Sequence, residues 1–73
     1  MPTADDLKHR IETGLPGAQA DVEGPDGVHF QAVVTSPAFQ GKTRIEQHRM
    51  VMDLFAGELG GAIHALSLKT KTP

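Results

Sequence analysis

The chain has 73 residues, no cysteine, tryptophan or tyrosine, three phenylalanines and a formal charge of −2. That length suits one small domain over residues 1–73 held by packing alone, because neither a disulfide nor a thiolate metal site can be built. So few aromatics give no rich platform for stacking bases, and the mild charge falls short of the basic footprint of a dedicated DNA binder.

The charge is unevenly placed. Through Asp26 there are two basic residues against six acidic ones; from Gly27 onward there are five basic against three acidic. No apolar run approaches the ~20 residues of a membrane span, and the N-terminus lacks a basic stretch followed by an apolar one. The expectation is a soluble cytoplasmic protein without a membrane contact, an organellar location remaining open for a eukaryotic source.

Thr3-Ala4-Asp5-Asp6 has the form of a capping box, so a helix is expected from there. Leu7, Ile11 and Leu15 recur at helical spacing with Ala4 on the same stripe, and Gly14 with Pro16-Gly17 stops the element. Ala18 to Glu23 then alternates small apolar with polar residues, which predicts a half-buried strand. Gly24-Pro25-Asp26-Gly27 supplies a turn, and alternation resumes with Val28, Phe30, Ala32 and Val34 on one face. His29, Gln31, Val33 and Thr35 fall on the other face. Two strands joined so closely make an antiparallel hairpin.

Pro37 ends the second strand and Phe39-Gln40-Gly41 makes the crossing. Thr43-Arg44-Ile45-Glu46 is a second capping box, placing a helix start at about Thr43. Its apolar stripe is expected from Ile45, Val51, Met52, Phe55 and Leu59, with Leu54 and His48 beside it and Arg44, Glu46 and Arg49 pointing away. Gly57 is a possible break and Gly60-Gly61 the expected end. A third strand is expected over Ala62 to Lys69, and Thr70 to Pro73 reads as a polar, frayed tail.

The order αββαβ, or αββααβ if the second helical segment breaks, predicts an α+β fold with helices on one face of a three-stranded mixed sheet. A right-handed crossover would make strand three parallel to strand two. His29 and His64, each at the start of one of those strands, would then reach one edge of the domain. Alternation puts them on opposite faces, a conflict that vanishes if His29 belongs to the hairpin loop.

Two imidazoles are half a zinc site, so an intrinsic structural zinc is not expected. A partner could complete the shell, since a [2Fe–2S] cluster accepts histidine at one iron and thiolate at the other. His48 reads first as a core-margin histidine bonded to backbone, and only second as a catalytic base. Lys42, Arg44, Arg49, Lys69 and Lys71 could bind phosphate or an acidic partner, although such charges are more often a solvated face. No nucleophile stands beside a base, and neither a Walker A nor a GxGxxG loop is present, so catalysis is not expected.

Phe39-x-Gly41 with His48-Arg49-x-Val51-x-x-Leu54, followed by Ile63-His64-Ala65-Leu66, resembles the BolA family. The resemblance implies a fold similar to the class II KH domain without its GxxG loop, and a partnership with monothiol glutaredoxins. It implies a [2Fe–2S] cluster shared in a heterodimer, with thiolates from the glutaredoxin and glutathione and histidines from this chain. His64 matches the family histidine and His29 the variable ligand before strand two. The isolated protein is accordingly expected to be apo and monomeric. His48-Arg49 matches the family's R-H-R helix signature except that Gln47 replaces the first arginine, which weakens the alternative of a DNA-binding regulator using Lys42, Arg44, His48, Arg49, Lys69 and Lys71.

Overall fold

The computed structural model describes residues 2–58 and 65–73. Helix α1 spans Ala4–Gly14, strand β1 Gln19–Glu23, strand β2 His29–Thr35, helix α2 Arg44–Met52 and strand β3 Ala65–Lys71. Short 3-10 turns cover Pro37–Phe39 and Asp53–Phe55. The sheet order is β1-β2-β3, with β1 antiparallel and β3 parallel to the central β2. This is the expected α+β arrangement.

Both capping boxes form. Thr3 Oγ1 accepts from the Asp6 amide at 3.1 Å while Asp6 Oδ2 accepts from the Thr3 amide at 2.9 Å. Thr43 and Glu46 repeat the exchange at the head of α2, at 3.2 and 2.8 Å. Each box satisfies amides that a helix start leaves without a carbonyl partner. α1 buries Leu7 and Ile11, and its capping residue Leu15 is buried as well.

Phe30, Ala32 and Val34 of β2 and Ala20 of β1 join these side chains, with Phe39, Val51 and Phe55, in one core. The opposite set, Gln19, Asp21, Glu23, His29 and Gln31, is exposed. Period-two alternation therefore sorts the strands as expected. The sheet edge at β1 is tied to α1: Lys8 Nζ donates to the Ala20 carbonyl at 3.1 Å, and the Ala20 amide donates to Glu12 Oε2 at 3.1 Å. Ser36 is wholly buried, yet its hydroxyl donates to the Pro16 carbonyl at 2.8 Å and accepts from the Ala38 amide at 3.1 Å. It pins the exit of β2.

Three expectations need correction. Ile45 is 66% exposed, so it lies outside the apolar stripe; the buried positions of this segment are Val51 and Phe55. A fixed heptad count from Ile45 fails because the helix is short and changes pitch at its end. The helical segment breaks at Asp53, before Gly57, into the 3-10 turn Asp53–Phe55. Arg10 anchors this turn from α1: Nη2 donates to the Leu54 carbonyl at 2.9 Å, Nη1 donates to Glu58 Oε1 at 2.8 Å, and the guanidinium lies 4.6 Å from the centre of the Phe55 ring.

The third correction concerns the tail. Thr70 and Lys71 are not frayed but pair with Val34 and Thr35 of β2, and the Ser36 amide donates to the Lys71 carbonyl at 3.1 Å. The expectations for Leu59, Gly60-Gly61 and the first three residues of the third strand lie outside the described residues.

Candidate functional site

The loop that joins β1 to β2 is closed by one side chain. Asp26 Oδ1 accepts from the amides of Val28 at 3.0 Å and His29 at 2.9 Å, and Gly27 takes the positive φ of 73° that the turn demands. The other carboxylate oxygen, Oδ2, lies 2.8 Å from His29 Nδ1. These bonds hold the Asp26 carboxyl well below the usual carboxylate range, with the His29 and Val28 amides as the largest causes and the ring contact next. Asp26 is therefore a carboxylate, an acceptor only, and Nδ1 faces it as donor. In the neutral ring the lone pair then belongs to Nε2.

His29 is the first residue of β2 and exposed. It sits in the strand and not in the loop, on the face opposite Phe30, so the loop placement that would have removed the alternation conflict does not hold. Its register partner is Ala65, the residue that follows His64 in sequence. His64 itself lies outside the described residues. A hollow of about 320 Å³ opens beside the His29 ring, walled by Glu23, Pro25, Asp26, Gln31 and Ser67. Among the described residues no three His, Cys, Asp or Glu side chains are grouped so as to hold a metal ion.

An exposed imidazole whose Nδ1–H is held by a carboxylate has the donor geometry of a metal-binding histidine, in which the second nitrogen's partner fixes the tautomer. Of the two histidines expected to face a [2Fe–2S] cluster, the described residues present one, His29, and its chemistry fits a nitrogen ligand.

A second surface runs along α2 and β3. Lys42, Arg44, Arg49, Lys69 and Lys71 are all exposed, and none of them pairs with a carboxylate among the described residues. A cleft of about 250 Å³ is lined by Arg44, His48, Leu68, Lys69 and Thr70. His48 is half-buried there, at the margin of the core as its sequence position suggests. Its ring makes no hydrogen bond among the described residues, so the expected backbone partner of the imidazole is not found there. Glu46 carries the only carboxylate of α2; its carboxyl is held low first by the Thr43 backbone and side-chain bonds, with a smaller contribution from Lys42 and Arg49.

Gln47 has a role that sequence reading missed. Its Nε2 donates to the carbonyls of Phe39 at 3.2 Å and Lys42 at 3.0 Å, while its Oε1 accepts from Thr70 Oγ1 at 2.6 Å. One amide joins the crossing loop, α2 and β3. An arginine could make the first two contacts but has no acceptor for the third.

The sequence pattern described as BolA-like protein matches residues 7–73. The chain belongs to the BolA family. BolA-like protein 1 of Mus musculus is 40% identical over 67 residues, covering 92% of this chain and 46% of that protein. The chloroplastic/mitochondrial SufE-like protein 1 of Arabidopsis thaliana is 47% identical over 51 residues, covering 68% of this chain and 14% of that one. This chain thus spans less than half the length of either relative. The solved structure of a BolA protein homologue from Coxiella burnetii superposes with a TM-score of 0.86 at 47% identity, covering all of this chain and 94% of the other. The three-stranded mixed sheet with its two helices is therefore the BolA fold. No helix among the described residues is long and apolar enough to cross a membrane.

Proposed function

We propose that this BolA-family chain is a binding module, not an enzyme, that pairs with a monothiol glutaredoxin. In the heterodimer His29 and His64 complete the coordination of a [2Fe–2S] cluster whose thiolates come from the glutaredoxin and glutathione. The role is cluster trafficking or iron and redox regulation. The observation that carries this reading is His29 itself, exposed at the head of β2 with its Nδ1 held by the Asp26 carboxylate, at the sheet end where β3 begins one residue after His64 in sequence. Two nitrogen donors are too few to keep iron unaided, so the partner is part of the site. Alone, the chain is monomeric and apo.

The test is to mix the protein with a cluster-loaded, glutathione-bound monothiol glutaredoxin and record visible absorption and circular dichroism. The spectrum changes with wild type, and the change is lost in His64→Ala. An unaltered spectrum in a stable complex means that contact occurs without the metal and overturns the reading.

A second reading is supported by the exposed cations around α2 and β3: DNA binding through Lys42, Arg44, His48, Arg49, Lys69 and Lys71. Such binding weakens steeply with salt, each phosphate contact contributing a slope of about −0.9 in log affinity against log salt. Affinity indifferent to salt, or unaffected by neutralising Arg44 and Arg49, removes it.

A further inference from the structure

On the reading that His29 ligates a shared cluster, we propose that Asp26 is the positioning residue that presents the Nε2 lone pair of His29 to iron. The two oxygens of Asp26 divide their work. Oδ1 alone closes the turn, accepting from the Val28 and His29 amides, and this would suffice for the backbone. Oδ2 is directed at the ring, 2.8 Å from Nδ1. Both carboxylate oxygens come from a residue three positions before the imidazole, so a single side chain ties ring and loop together. A carboxylate cannot donate, so the ring proton resides on Nδ1, and a metal meets Nε2 without a proton to displace.

Asp26→Asn separates this role from turn closure. The Asn side-chain oxygen can accept from the same two amides, while its NH2 group takes the place of Oδ2 and becomes a donor toward Nδ1. The lone pair then moves to Nδ1 and the proton to Nε2. Iron binding at Nε2 would require that proton to leave and the amide to rotate away.

The first measurement uses the isolated protein. Long-range proton–nitrogen correlations of the neutral His29 ring show the Nδ1–H tautomer in wild type and the Nε2–H tautomer in Asp26→Asn, with the Val28 and His29 amide shifts kept. The second uses the complex with cluster-loaded monothiol glutaredoxin and glutathione, timing release of iron to a chelator. Asp26→Asn speeds release about 10- to 100-fold, the usual cost of a lost outer-shell partner. An unswitched tautomer, or wild-type release in Asp26→Asn when His29→Ala does accelerate it, overturns the role of Asp26 alone. Release and spectra unchanged in His29→Ala overturn both this role and the ligation it rests on.

Discussion

Thr70 Oγ1 donates to Gln47 Oε1 at 2.6 Å, joining the last strand to the second helix through two residues that sequence alone reads as part of a frayed tail and as a departure from the family's helix signature. The bond is partly buried, and the same Gln47 also holds two carbonyls of the crossing loop. Thr70→Val is expected to lower the unfolding free energy by about 1 kcal/mol, the net worth of an ordinary hydrogen bond. Gln47→Ala should cost more, and the double variant less than the sum of the singles, as equilibrium denaturation of the four proteins would register. Strict additivity would show that the contact carries no energy.

Gly24 is required by its neighbour. A Cβ there would stand 2.5 Å from Cε1 of Phe30, which is buried in the core. Gly24→Ala should therefore destabilise by about 1 to 3 kcal/mol, the range for forcing extra volume into a packed site. Thermal unfolding checks this; a midpoint equal to wild type would mean that the loop can shift away at no cost.

Ile45 offers the opposite case. At 66% exposed it contributes little to the core, so Ile45→Ser should change stability by less than about 0.5 kcal/mol. The heptad stripe expected from sequence would instead make this a large loss. Chemical denaturation decides between them.

Acid should weaken the fold through Asp26 and three further carboxylates. Asp6 is held below its ordinary 3.8 first by the Thr3 backbone bond, and Glu46 below 4.5 by that of Thr43. Glu58 is held below 4.5 by the Arg10 guanidinium. Each folded-state value lies under its unfolded one, so each group's contribution is complete above the unfolded value and vanishes as pH falls through the folded one. The denaturant midpoint should be lower at about pH 3 than at about pH 7. Arg10→Met should lose the Glu58 share of that difference; an identical acid response in the variant would exclude the pair.

Much of the fold was legible because local chemistry and global packing agree in α1, β1 and β2. Alternation in 18–35 and the boxes at Thr3 and Thr43 name their elements without tertiary information. The second helical segment was harder because its apolar residues do not settle on one narrow stripe, and its end is set from outside by Arg10. Gln47 and Thr70 could not be paired from sequence: polar residues on a short helix and near a terminus carry no signal of each other. At the candidate site, the hairpin turn and the parallel direction of β3 follow from pattern and topology, while the register does not. The split service of the Asp26 oxygens depends on side-chain direction, which spacing alone does not supply.

The tie between α1 and Ala20 bears on how the molecule behaves in a crowded solution. An uncovered border strand invites another chain to lengthen the sheet, the first step toward aggregates. Here Lys8 and Glu12 already occupy the Ala20 carbonyl and amide, so an intruding strand at β1 must evict both before it can bond. At the far border, Lys69 and Lys71 set like charges against any second copy aligned in register. Both borders of the three-stranded sheet thus carry features that disfavour its growth.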